Sequence, residues 1–352
     1  MNLTAKQKRI LTWVGYGAFY LFALVLFAYL TFPYDRLRDR IQNEFNARQT
    51  GPNPMTLRLG HMSSYWLGGV EADSVDLITP PSTDPPSGEA SDEPPKAPKA
   101  KVMHIDSVHA RVSLLRLLFG TVHVNFGADA FGGKISGFTS DADGGRKLAV
   151  DIDDLSLADA PMIGDLIGLP VLGKLAGSLE FLLPEGKLAK AEGKVDLKFS
   201  DLAVGDGKAK ILNTIALPKL TVGELGLQAT ATAGNLKLDN FAATGKDLEF
   251  QADGSVRLRD PLDGSLLSLN ARFKFSDRFT NKDDMTRGLF GAPGSTIPGL
   301  FDLDPKTKRA KRPDGFYAWH VNGTMSRPTF LPADSGGGAG GMGAAGRGIR
   351  SP

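Results

Sequence analysis

The stretch from Ile10 to Phe32, ILTWVGYGAFYLFALVLFAYLTF, carries no charge, and none occurs between Arg9 and Asp35. As a helix, these residues would span roughly 35 Å, enough for a hydrocarbon core of about 30 Å with some tilt. Trp13, Tyr16, Tyr29 and Tyr34 lie towards the two ends of the run, where amphipathic rings prefer the membrane interface. A cleaved signal peptide has a shorter apolar region that ends in small residues, whereas this run ends in Phe32-Pro33-Tyr34-Asp35. The sequence therefore predicts an uncleaved anchor at 10–32 after a cytoplasmic tail, 1–9. Lys6, Lys8 and Arg9 precede the span and Arg36, Arg38 and Arg40 follow it, so the basic residues alone leave its orientation near a draw. A large domain translocates largely regardless of flanking charge, which favours a cytoplasmic N-terminus and a bulk outside the cytoplasm.

Beyond the anchor, Leu37, Ile41 and Phe45 recur at i, i+4 spacing. This predicts a juxtamembrane helical stalk over 33–48 that continues the span. Gly51-Pro52-Asn53-Pro54 ends it. A β-domain is expected over 49–334, with strand-like segments at Met55–Leu59, Val70–Ile78 and Ile105–Val112. Within that domain, Thr79–Lys99 has seven prolines and no large apolar residue. It cannot bury enough surface to offset its ordering entropy, so a disordered Pro-rich loop is expected over 79–100. The tail 335–352, SGGGAGGMGAAGRGIRSP, is expected to be disordered as well. Short helices are expected at Ser113–Leu118 and at Met162–Ile167.

A small unit recurs in the β-domain: a glycine followed by apolar residues two and four positions on. It occurs as Gly177/Leu179/Phe181, Gly193/Val195/Leu197, Gly234/Leu236/Leu238 and Gly254/Val256/Leu258. Period-two alternation gives each strand one apolar face and one carrying Glu, Lys, Asp or Arg, and glycines at strand starts suit turns and bends. The units are irregularly spaced, which excludes a tight solenoid. With no helical inventory to cover the apolar face, the expected fold is mainly β. One N-terminal transmembrane helix would be followed by a long, bent, mostly antiparallel and groove-like sheet with a few short helices. The candidate groove-lining residues are Leu179, Phe181, Val195, Leu197, Leu236, Leu238, Val256 and Leu258.

The chemistry is sparse. Cysteine is absent, which removes disulfides, thiolate metal sites and cysteine nucleophiles. Lys+Arg 41 against Asp+Glu 39 gives a net charge of +2, no basis for electrostatic nucleic-acid binding. Asp151, Asp153 and Asp154 lack the glycine turn and the ligating glutamate of a calcium loop, so a solvated strand face is the expectation. His104 and His109 would point to opposite faces of a strand, and a metal site with His123 is not expected. Gly338, Gly340 and Gly343 match a dinucleotide fingerprint, but no strand precedes them and almost no chain follows. Asn322-Gly323-Thr324 reads as a strand-starting glycine between turn formers, and the basic run Lys306–Arg312 as a solvated loop. No catalytic constellation, metal site or cofactor site emerges, and no enzyme is expected.

The order of these features resembles the N component of bacterial type II secretion systems, and more distantly the AsmA-like envelope proteins. The resemblance rests on the single N-terminal span, on Leu114-Leu115-Arg116-Leu117-Leu118-Phe119-Gly120 after a strand, and on Phe131-Gly132-Gly133-Lys134-Ile135-Ser136-Gly137. The closing stretch from Tyr317 to Pro332, with Trp319, Gly323, Arg327 and Pro328, is similar to that family's terminal strand. The Pro-rich segment and the glycine tail depart from the family core. The resemblance implies a bacterial inner-membrane protein, anchored through 10–32, whose periplasmic β-domain is a non-enzymatic structural subunit contacting other secretion-system envelope proteins. The AsmA-like alternative implies an apolar β-groove that binds or transfers lipid.

Overall fold

Alternating sequence becomes antiparallel strands throughout the computed structural model, which describes residues 5–49, 54–66, 68–80, 100–160, 169–205, 210–211, 215–216, 218–291 and 299–333. The fold is mainly β with few helices, and every described strand pairing is antiparallel. The chain divides into two compact units, Met1–Ser140 and Asp141–Pro352. The helix expected at Met162–Ile167, most of the Pro-rich segment, and the tail with its glycine fingerprint lie outside the described residues.

In the first unit, α1 (Ala5–Leu30) and α2 (Tyr34–Arg48) precede β1 (Thr56–Leu59), β2 (Met62–Tyr65), β3 (Gly69–Thr79) and β4 (Lys101–Val112). The short α3 (Leu114–Leu118), β5 (His123–Ala130) and β6 (Gly133–Ala142) follow. The strand order is β1-β3-β4-β5-β6, with β2 also on β3. Pairing of β3 with β4 runs out to Thr79 opposite Lys101, so the residues that flank the Pro-rich segment lie on neighbouring strands. Among the described residues no helix is long and apolar enough to cross a membrane.

The continuous stalk expected after 10–32 is not what forms. Helix α1 ends at Leu30, and α2 starts afresh at Tyr34. Pro33 lies between them; it has no N–H to donate and disfavours helical backbone at Phe32. Nor does α2 stand free. Tyr34 and Leu37 pack against buried Met62, Ala72 and Val75 of the sheet. The Gln42 side chain donates to the Leu59 carbonyl at 3.1 Å, and the Leu57 N–H donates to Asn46 Oδ1 at 2.8 Å. Of the expected stripe, Leu37 joins this core while Ile41 stays exposed.

The second unit contains β7 (Gly145–Ser156), β8 (Val171–Leu183), β9 (Glu192–Val204), β12 (Leu220–Thr232), β13 (Asn235–Thr244), β14 (Leu248–Arg257), β15 (Leu266–Phe275), β16 (Tyr317–Thr324) and β17 (Arg327–Pro332), paired in that order. The two-residue strands β10 (Lys210–Ile211) and β11 (Ile215–Ala216) pair with each other. Between β15 and β16 the described residues form four short helices, α4 (Asp277–Thr280), α5 (Asp284–Phe290), α6 (Leu300–Leu303) and α7 (Pro305–Ala310).

Several local expectations are corrected here. Two of the four repeated glycines do not start strands, since Gly177 and Gly254 lie inside β8 and β14, whereas Gly193 opens β9 and Gly234 forms the turn that leads into β13. Gly323 comes near the end of β16, not the start. The basic run 306–312 is not a plain loop, because Asp304 and Pro305 start a helix there and the Asp304 side chain accepts from the Thr307 N–H at 2.8 Å.

Candidate functional site

The register of the second unit collects the eight candidate groove residues on one face. Leu179 lies opposite Val195, Val195 opposite Ala229, Ala229 opposite Leu238, Leu238 opposite Gly254 and Gly254 opposite Leu269. One step along the strands, Phe181 faces Gly193, Ala231 faces Leu236, and Leu236 faces Val256. Small residues thus sit opposite large ones in each row, which lets neighbouring rows interdigitate. The other face alternates outwards with exposed Glu180, Lys194, Asp196, Lys198 and Lys237. There Lys198 pairs with Glu224 at 3.3 Å and the Gln228 side chain donates to Asp196 at 3.2 Å.

The apolar face packs substantially on itself. Val195, Leu238, Val256 and Leu258 are buried, in two clusters that share Phe181, Leu236 and Leu269 as flanking residues. Phe181 on β8 thereby joins a cluster with Val256 on β14, although three strands separate β8 from β14 in the sheet. Only a curled sheet brings such strands together, and glycine permits the curl. Gly254 has φ +122, and a Cβ there would run into the Ser268 carbonyl oxygen on the neighbouring strand. Leu179, Phe181, Leu197 and Leu236 remain half-buried on the same face.

Each end of this face is closed by a different device. At one end the connector after β8 folds over: Leu188 and Ala191 join the cluster around Val256 and Leu258. The Leu188 N–H donates to Asp260 Oδ2 at 3.0 Å, and the Gly234 N–H to the Ala191 carbonyl at 2.9 Å. At the other end the four-helix insertion covers the strand ends with aromatic rings. Phe275 lies within 4.7–6.4 Å, ring centre to ring centre, of Phe273, Phe279, Phe290, Phe301 and Tyr317. Phe279 is fully buried. The Tyr317 hydroxyl donates to Asp302 Oδ1 at 2.8 Å, and burial followed by that carboxylate pushes the phenol pKa well up. Lys311 pairs with the other Asp302 oxygen at 2.5 Å, so the carboxylate is doubly satisfied. This insertion was absent from the expectation, yet its start signals are in the sequence: Ser276 caps α4, Asp283 and Thr286 form a capping box on α5, and Asp304 caps α7.

The polar face holds a second feature the sequence reading missed. Arg312 and Phe316, from the turn before β16, line a cavity of about 990 Å³ together with Gln251, Asp253, Asn270 and His320. Arg272 donates to Gln251 Oε1 through Nε at 3.0 Å and lies 5.2 Å from the Phe316 ring centre. Asn270 donates to Asp253 at 2.8 Å and lies 2.7 Å from His320 Nδ1. These strands bring the groups together from sequence positions far apart, so no local motif announces them.

The other residues singled out do not converge. Asp154 pairs with Lys174 at 2.8 Å, which raises the lysine pKa, and a register shift between Ile152 and Leu155 interrupts the acidic strand. His104 pairs with Asp76 at 2.7 Å, His109 stacks on Tyr65, and His123 bonds to Arg116. Among the described residues no three His, Asp or Glu side chains are grouped to hold a metal ion. No protein-family model, curated protein or solved structure matches the chain.

Proposed function

We propose that the chain is a non-enzymatic structural subunit of a type II protein secretion system, held in the bacterial inner membrane by residues 10–32. In this reading the N-terminus is cytoplasmic and the β-rich bulk is periplasmic, where it contacts other envelope subunits. The observation that carries the reading is α1. Trp13, Phe19, Phe22, Leu24 and Phe27 along it are 63–77% exposed, and the sequence from Ile10 to Tyr34 has no charge. Water gives such a surface no partner, whereas lipid covers all sides of an apolar helix at once. The self-packed apolar face supports a structural role, leaving the polar face and the outer edge of β17 for subunit contacts. A free edge accepts a further strand through its unpaired backbone groups. The segments that carry the family resemblance fall on α3, on the β5–β6 turn with the start of β6, and on β16 and β17.

The test combines location and partners. Epitope-tagged full-length chain is expected to stay in the membrane through alkaline carbonate washing and to recover other secretion subunits after cross-linking. Its deletion is expected to lower the export of secreted enzymes. Release by carbonate, or normal secretion with no secretion subunit recovered, overturns the reading. A second reading, lipid binding by the apolar face, has its own observation: the half-exposed Leu179, Phe181, Leu197 and Leu236. Native mass spectrometry of the membrane-extracted protein separates the two, since only this reading requires bound lipid.

A further inference from the structure

We infer that α3 and the residues around it form a second, interfacial membrane contact that dips into the same leaflet as the C-terminal end of α1. The inference rests on the reading of α1 as a membrane anchor, and all of its observations lie within the first unit. Leu115, Leu118 and Phe119 are 77%, 80% and 83% exposed, and Trp66 nearby is 71% exposed. Leu114, Leu117 and Val122 add further apolar surface beside them. Surface leucines scattered singly need no explanation, but this density within nine residues marks an interaction site.

The identity of the covering partner follows from where the patch sits. Leu114, Gly68, Gly69 and Val112 line an apolar cavity of about 430 Å³ together with Val25, Tyr29 and Phe32 of the anchor segment. The Tyr29 hydroxyl, near the C-terminal end of α1, donates to Ser64 Oγ at 2.9 Å, which ties that end to β2. Val25 lies about 8 Å of helix rise below Leu30. That matches the depth to which an interfacial helix buries its apolar face, about 5–10 Å. The lipid that surrounds α1 at this level therefore also reaches α3.

The charged groups fit the same placement. Arg116 interrupts the leucines in sequence but turns back: its Nη1 donates to His123 Nδ1 at 2.5 Å, and buried His123 in turn stacks on Phe138. The guanidinium is thus withdrawn from the leucine side chains. Arg111 lies 6.0 Å from the Trp66 ring centre, an arginine–tryptophan pair suited to headgroup depth, where each side chain keeps an apolar body and a polar tip. With α1 and α3 both engaged, the first unit is held at two points, and its rotation about the anchor is restricted.

The natural absence of cysteine makes the test direct. Full-length chain carrying Leu118→Cys, Phe22→Cys or Lys194→Cys is labelled with an environment-sensitive fluorophore. Each is reconstituted into vesicles of phosphatidylethanolamine and phosphatidylglycerol. Leu118 is exposed and Lys194 lies on a solvated strand face, so neither change disturbs packing. The expected result is a blue-shifted Leu118→Cys signal, quenched by lipids nitroxide-labelled near the headgroup and protected from aqueous iodide. Phe22→Cys should be quenched by deeper nitroxides and Lys194→Cys by iodide. Iodide quenching at position 118 with protection at position 22 overturns the second contact and leaves the anchor standing. Iodide quenching at both positions overturns the anchor as well. Shielding of position 118 from both iodide and nitroxide lipid shows that protein covers the patch, and likewise overturns the inference.

Discussion

At Gly254 a missing Cβ lets β14 lie close against the backbone of β15. The backbone there has φ +122 and lies against the Ser268 carbonyl, so Gly254→Ala forces either the dihedral or the neighbouring strand to move. The expected cost is roughly 1–3 kcal/mol, read as a lower urea midpoint. An unchanged midpoint would mean that the strand pair is free to relax. The repeat that contains this glycine was legible as a pattern, because alternation depends only on the chain's own period of two. Its structural meaning was not, because the atom that excludes a side chain belongs to β15, twelve or more residues away. Asp239 makes the same point: it is an extra residue at a register shift between β12 and β13, and its carboxylate accepts from Thr230 across the strands at 2.6 Å. Nothing local predicts where such a shift falls.

Among the elements, the helical insertion depends most on its caps and its aromatic anchor. Asp283 accepts from the Thr286 N–H at 2.8 Å while the Thr286 hydroxyl serves the Asp283 backbone. The Thr286 amide, above all, holds the Asp283 carboxyl below the usual carboxylate range. A carboxyl with a lower pKa folded than unfolded stabilises the fold above the unfolded value, about pH 4, and that stabilisation is lost as the pH falls below it. Asp283→Ala is expected to cost about 1 kcal/mol at neutral pH and to flatten this part of the acid dependence. Amide hydrogen exchange across 277–290 at neutral and acid pH checks both; equal exchange in variant and parent at neutral pH would remove the cap from the account. The cap signals stand in the sequence, but the aromatic contacts that hold these short helices come from Phe275 on β15 and Tyr317 on β16, which no local signal announces.

At the scale of the whole molecule, graded exposure along the apolar face of the second unit gives a testable contrast. Leu238 is buried at 9% exposure, whereas Leu197 is half-buried on the same face. A carboxylate at a packed position costs several kcal/mol unless it is paired or protonated. Leu238→Glu is therefore expected to unfold or deplete the protein, and Leu197→Glu to be milder. Urea titration measured together with native lipid content distinguishes the two uses of the face. A folded Leu197→Glu that has lost co-purifying lipid supports a lipid groove, whereas no lipid in either the parent or the variant supports a self-filled structural sheet.

The sequence by itself determined the class of this protein: an uncharged run at its start, alternating strands after it, and no cysteine chemistry. Each of these is a property of composition or of a short repeat period, and so depends on near neighbours in the chain. Tertiary structure decided what alternation leaves open. It docked α2 on β1 and β2, rolled the strand faces of the second unit onto one another, and capped one end with a connector and the other with six aromatic rings. It also placed Leu114 beside Val25, residues separated by most of the first unit. Such arrangements depend on strand register and on which distant backbone atoms meet, and those are fixed only when the whole sheet closes its contacts together.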